Sequence, residues 1–150
     1  MDKKGQAAME FLMTYGWAIL AAIIAIAVLA YFGVFSPSRY VPNACIVANP
    51  WGCNNDDTQA LATGNKIVLA LINSGGDSYN IMNISIGNCN STAAPNQVVL
   101  AGGSASFNIT QCSPTIVAGQ SFRGDITITY NKLGSTTPQT VTGSILRKVA

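Results

Sequence analysis

The sequence predicts an α+β protein in which a long apolar N-terminal helix precedes a small antiparallel β-sandwich head. Three observations support this fold class. The 25 residues from Phe11 to Phe35 carry no charged side chain. After Phe35 the chain becomes rich in Asn, Ser, Thr and Pro. From Lys66 onward, short apolar segments alternate with Gly-, Asn- and Ser-containing turns, a pattern typical of sandwiches, including immunoglobulin-like ones.

The composition indicates a chain with part of its apolar surface in a membrane or an assembly. Hydrophobic residues make up 49% of the 150 residues and charged residues only 9%. The net charge of +2 and the scattered basic residues argue against nucleic acid as a partner. Histidine is absent, which removes the commonest general base and metal ligand. We therefore expect no catalytic activity, no cofactor and no metal.

The apolar run is long enough to cross a bilayer. As a helix, its 25 residues would span about 37 Å. Lys3 and Lys4 precede the run and favour a cytoplasmic N-terminus, with the residues after Phe35 outside. A cleaved secretory signal would have an apolar core of only about 7–15 residues and a small-x-small site. A plain membrane anchor explains the length and orientation of the run. It does not explain Glu10, which directly precedes the run.

The stretch KKGQAAMEFLMTYGWAIL resembles the class III signal peptide of archaeal type IV pilin-like proteins. In that family a short basic leader ends in glycine, and a prepilin peptidase cuts between this glycine and a glutamine. The resemblance implies cleavage between Gly5 and Gln6, which makes Glu10 the fifth residue of the mature chain. The family pattern often has a serine two positions after the glutamine and a leucine eight after it, where this chain has Ala8 and Thr14.

Cleavage would give Glu10 a charged partner. A carboxylate in hydrocarbon costs about 2.5–3.5 kcal/mol at a helix centre and less near the interface. The α-amino group exposed by cleavage can offset that cost, and a negative charge in the first turn suits the helix dipole. The resemblance implies that this glutamate meets the amine of a neighbouring subunit and sets the register of a filament. In the alternative interpretation, Glu10 only reaches the lipid headgroups.

Small residues along the helix favour close packing of one helix on another. They are Ala7, Ala8, Ala18, Ala21, Ala22, Ala25, Ala27 and Ala30. Gly16 and Gly33 are interpreted either as further packing notches or as points where the helix bends.

The chain is expected to divide into four parts. They are a leader at residues 1–5, an apolar helix at 6–35, a disulfide-stapled collar at 36–65 and a β-rich head at 66–150. Four cysteines in an exported chain predict two disulfides, with three possible pairings. We favour Cys45–Cys53 with Cys89–Cys112, because this pairing closes the shorter loops and keeps the collar separate.

Alternation along the head strands predicts which side chains face the core. The segment KIVLALIN is apolar on both faces and should be a central strand. Elsewhere one face is apolar and the other is rich in Thr, Ser and Asn. The predicted inward residues are Met82, Ile84, Ile86, Phe107, Ile109, Ile126, Ile128 and Tyr130.

Three Asn-X-Ser/Thr sequences mark possible glycan acceptors at Asn83, Asn90 and Asn108. Asn83 and Asn108 fall on the polar faces of their predicted strands, and Asn90 in a predicted loop. All three can carry a glycan without disturbing the core.

The resemblance implies a structural subunit of an archaeal type IV pilus-like surface filament that serves adhesion or attachment. Its expected partners are other copies of the chain, the prepilin peptidase, an assembly ATPase and a platform protein, with the cytoplasmic membrane holding the precursor. An archaellin or a minor pilin is an alternative within the family. The alternative from a different class is an anchored extracellular binding domain that does not polymerise.

Overall fold

The computed structural model describes residues 3–35, 42–91 and 95–150. The chain divides into two units, Met1–Tyr40 and Val41–Ala150. The described residues of the first form one helix and those of the second form antiparallel sheets, so the predicted α+β class is confirmed. The first two residues of the predicted leader, residues 36–41 of the predicted collar and Thr92 of one sequon lie outside the described residues.

The first unit contains helix α1, Lys3–Tyr31, and the second contains eleven strands within its described residues. These strands are β1 (Ala44–Val47), β2 (Trp51–Cys53), β3 (Gln59–Leu61), β4 (Lys66–Asn73), β5 (Tyr79–Ile86), β6 (Cys89–Asn90), β7 (Gln97–Val99), β8 (Ser104–Ile109), β9 (Gln111–Cys112), β10 (Ser121–Lys132) and β11 (Gln139–Lys148).

Helix α1 ends in a glycine cap. Gly33 has a φ of 72°, in the left-handed region that glycine adopts readily. Its N–H donates to the carbonyl of Ala30 at 3.0 Å, and the N–H of Val34 donates to Leu29 at 3.2 Å. These two bonds form a Schellman motif. Gly33 therefore terminates the helix, which ends at Tyr31 rather than continuing to Phe35 as predicted.

The head is a sandwich of two antiparallel sheets. The first follows the order β1-β11-β10-β5-β6-β9, and β7 also pairs with β5. In the second, β4 lies between β8 on one side and β2 and β3 on the other, because Ile72 pairs with both Gly52 and Ser104. The prediction of a central strand at KIVLALIN is thus confirmed.

One apolar core fills the space between the sheets. Ile67, Leu69 and Leu71 of β4 pack in the same cluster as Ile126 and Ile128 of β10. The buried ring of Trp51 lies 5.6 Å from that of Tyr130, measured between centroids, so an edge-to-face aromatic contact also joins the two sheets. Burial raises the pKa of the Tyr130 phenol, and the nearby Tyr79 adds to the effect.

The predicted collar is wrong as a separate segment. Strand β1 pairs with β11, and β2 and β3 pair with β4, so these strands belong to the sandwich. Trp51, placed in the collar by the sequence, is only 2% exposed. Pairing with long strands satisfies the backbone of segments too short to be stable alone.

The predicted orientation of Met82 is also wrong. In β5, Ile81, Ile84 and Ile86 are buried, whereas Met82 and Asn83 are both exposed. The register with β10 shifts here, since Thr129 pairs with Asn83 but Tyr130 pairs with Ile81. A β-bulge places one extra residue on β5 and reverses the alternation beyond it. The inward residues predicted for β8 and β10 are all buried, as expected.

Both disulfides follow the pairing that the sequence favours. Cys45–Cys53 joins β1 of the first sheet to β2 of the second. Cys89–Cys112 joins the facing strands β6 and β9, so these cysteines lie in short strands rather than in loops.

Removing the two disulfides is expected to have unequal effects. The two cysteines are 8 positions apart in the Cys45–Cys53 bridge and 23 positions apart in the Cys89–Cys112 bridge. Loop-closure entropy then predicts losses of about 2.5 kcal/mol for C45A/C53A and about 3.4 kcal/mol for C89A/C112A. Urea unfolding of the full chain in detergent, followed by fluorescence of the buried Trp51, measures both. A larger loss for C45A/C53A would show that the bridge between the sheets stabilises the native packing beyond its effect on the unfolded chain.

Candidate functional site

From Phe11 to its end at Tyr31, helix α1 carries no charged side chain. The helix has 29 residues, and none of them is buried. At 1.5 Å per residue it spans about 44 Å, enough to cross a bilayer. A helix of this kind near the N-terminus, together with two disulfides in the second unit, is typical of a chain that is anchored in a membrane or exported across one.

The predicted processing residues lie at the start of this helix. Gly5 and Gln6 are both exposed, and a Cβ built on Gly5 would meet no atom within 4 Å. Glycine is the weakest helix former after proline, and helix ends fray, so the bond between these residues is accessible.

The charges of the first turn oppose the helix dipole. The turn contains Lys3 and Lys4 and no acidic residue. Cations are unfavourable at this end of a helix, and anions are favourable. Glu10 lies two turns further in, so it is outside the first turn of the uncut helix. Removing residues 1–5 would take away both lysines and leave Glu10 near the new N-terminus.

The polar groups around Glu10 are arranged to suit an apolar environment. Glu10 is exposed on the helix surface, where its carboxylate is free to meet another molecule. Thr14 donates its hydroxyl to the backbone carbonyl of Glu10 at 2.9 Å. This bond satisfies the hydroxyl within the helix. The hydroxyl of Thr14 therefore needs no partner outside the helix.

The three candidate glycan acceptors lie on both outer faces of the sandwich. Asn83 is exposed on β5 and Asn90 on β6, and Asn90 pairs with Ser85, so both lie on the outer face of the first sheet. Asn90 therefore lies in a short strand, not in a loop as predicted. Asn108 is exposed on the outer face of the second sheet, between the buried Phe107 and Ile109.

The acidic sequence CNNDD forms a closed turn. The side-chain amide of Asn54 donates to the carboxylate of Asp57 at 2.6 Å, and the N–H of Asp56 donates to the side-chain oxygen of Asn54 at 3.0 Å. The buried guanidinium of Arg147 donates to the carbonyl of Asn55. Burial lowers the pKa of Arg147, and the charge of Asp56 opposes the shift. In the described parts of the chain, no three His, Cys, Asp or Glu side chains cluster as metal ligands.

Sequence reasoning missed two features of the head. One is the inward guanidinium of Arg147, which occupies an alternate position of β11 between the buried Ile145 and Val149. The alternation of inward and outward residues along β11 could have predicted that Arg147 faces inward. The other is a cavity at one end of the sandwich, beneath the loop from 113 to 120, for which no local pattern gives a signal.

Comparison of the sequence with protein-family models and with characterised proteins finds no match.

Proposed function

We propose that this protein is a structural subunit of an archaeal type IV pilus-like filament on the cell surface. The observation that carries the proposal is the sequence KKGQAAMEF at the start of a helix that is uncharged from Phe11 onward and has no buried residue. The precursor lies in the cytoplasmic membrane with its N-terminus inside. A prepilin peptidase removes residues 1–5, and an assembly ATPase and a platform protein move the helix from lipid into a bundle of like helices.

The electrostatics of α1 support processing. The uncut helix begins with two lysines at the positive end of its dipole. The carboxylate of Glu10 lies next to the apolar part of the helix surface, where a charge is costly. Cleavage removes the two lysines from the positive end of the dipole, and it creates an α-amino group that can pair with the carboxylate of Glu10. A plain anchor gains nothing from this arrangement, because Lys3 and Lys4 alone orient it.

The head supports a role at an exposed surface. The outer face of its first sheet presents hydroxyl and amide side chains in facing positions, and three exposed asparagines lie in glycosylation sequences. Their hydroxyl and amide groups suit contact with copies of the chain or with a glycan coat. The proposed role of the filament is adhesion or attachment. Within the same family an archaellin would serve motility, and a minor pilin would prime or tip the filament.

Replacing Gly5 with valine is expected to block processing. The family pattern places glycine immediately before the cut, so a branched side chain there should prevent cleavage. A Cβ at Gly5 meets no other atom, so the helix itself tolerates the change. Intact-mass measurement of membrane fractions should show full-length chain for Gly5→Val and a chain beginning at Gln6 for the wild type.

Gly16→Val is the matched control, since Gly16 is also a helical glycine with nothing within 4 Å of its would-be Cβ. It should be processed normally. A wild-type chain that keeps residues 1–5 in cells with an active prepilin peptidase would refute the proposal and favour an anchored binding domain.

A further inference from the structure

A cavity of about 300 Å³ lies at the end of the head where β10 begins. Its walls come from the turn after β5, the loop from 113 to 120, the first residues of β10 and Val149. The polar and aromatic residues at its lining are Asn88, Ser113, Thr115, Gln120, Ser121, Phe122 and Arg123.

The loop over this cavity is held in place at several points. Asn65 donates its amide to the carbonyl of Cys112 at 2.8 Å and accepts from the N–H of Ile116 at 2.9 Å. Further along, the N–H of Gly119 donates to Val149 at 3.0 Å, and the N–H of Val149 donates to Gln120 at 2.8 Å. The cavity is therefore pre-formed, which lowers the entropic cost of binding a ligand.

The aromatic wall is also fixed. Gly124, two residues after Phe122 on β10, has no side chain, and the Phe122 ring occupies the space that a Cβ would need. Two ring carbons lie 3.2 Å from the position of that missing Cβ. The ring therefore lies over the strand. An apolar face beside hydroxyl and amide groups is the combination that recognises a sugar ring, whose C–H face stacks on an aromatic side chain.

The charge of the lining indicates which sugar. Arg123 is the one charged residue among the described residues that line the cavity. Its side chain is exposed, and within the described ranges no carboxylate forms an ion pair with it, including Asp125 two residues along the strand. A guanidinium binds a carboxylate through two parallel hydrogen bonds. A cavity of this size, at the lower end of ligand pockets, suits one or two sugar rings.

We propose that this cavity binds a hexuronic acid, the carboxylate-bearing sugar of acidic polysaccharides. The site lies wholly within the head, so it would serve a filament subunit or an anchored protein equally. Its failure would leave the proposed filament function untouched, and failure of filament assembly would not remove the site.

The test is calorimetric titration of the full chain in a polyoxyethylene detergent, which carries no sugar headgroup. The ligands are methyl β-D-glucuronide, the uncharged methyl β-D-glucoside and inorganic phosphate. The glucuronide is expected to bind with a Kd of about 1 mM, as suits a ligand of its size, and more tightly than the other two. Arg123→Gln should weaken glucuronide binding about tenfold and leave glucoside binding unchanged. Phe122→Leu should weaken both sugars.

Lys132→Gln is the matched control, because it removes the same charge at the opposite end of β10 and should leave all three titrations unchanged. Three results would overturn the proposal. They are no saturable binding of the glucuronide up to about 20 mM, equal affinity for phosphate, and glucuronide binding that is unaffected by Arg123→Gln.

Discussion

Replacing Glu10 with alanine is expected to leave the chain in the membrane and to abolish filament formation. The substitution makes α1 more apolar, so insertion does not suffer. In a filament, however, it would leave the amine of Gln6 on a neighbouring subunit without its carboxylate. Breaking one partner out of a buried ion pair costs about 3–5 kcal/mol, and this loss would recur at every added subunit. Electron microscopy and quantification of sheared filaments measure the effect.

Two further variants separate charge from side-chain length. Glu10→Gln keeps the length and hydrogen-bonding capacity but not the charge, and it should also fail to assemble. Asp77→Ala removes a carboxylate from the head surface, where Asp77 pairs with Lys132 at 2.9 Å, and should assemble normally. Filaments of normal number and length from Glu10→Ala would show that Glu10 has no part in subunit register.

Replacing Gly143 with alanine is expected to destabilise the head by about 3 kcal/mol, a large share of the stability of a domain of this size. Gly143 lies in β11 opposite Val47 of β1. A Cβ there would press on the backbone carbonyl oxygen of Ile46 and lie 2.9 Å from the Cα of Val47. The clash is with backbone, so relief requires β1 to move away from β11. Urea unfolding of the full chain in detergent, monitored by Trp51 fluorescence, measures the loss.

Gly76→Ala is the matched control, because a Cβ at Gly76 would meet no atom within 4 Å. Its effect should be within about 0.5 kcal/mol. A Gly143→Ala protein as stable as the wild type would mean that β1 can shift without loss, and that its pairing with β11 contributes little.

Local pattern predicted the head strands where pairing is regular and failed where it is not. Phe107 and Ile109, in β8, alternate without interruption, and both are buried as predicted. Met82 follows the same apolar pattern, yet it is exposed, because the bulge opposite Thr129 and Tyr130 shifts the register. A bulge depends on the partner strand, so alternation along β5 alone cannot locate it.

Short strands and long-range contacts could not be predicted from the sequence for a similar reason. Strands β1, β2 and β3 have three or four residues each, too few to show a period, and the Pro and Asn residues around them indicate a loop. The cavity depends on Asn65, whose two hydrogen bonds join residues 47 and 51 positions away. By contrast, α1 was predictable because its apolar run is continuous and long.

The proposed filament role can be tested by measuring the intact mass and N-terminal sequence of this chain in filaments sheared from the source cells. We expect a mature chain that begins at Gln6, is present in the filaments and is heavier than its sequence by glycan-sized steps. A chain that retains Lys3 and Lys4 and occurs only in membranes would contradict it. That result would make the protein an anchored extracellular domain and leave Glu10 without a function.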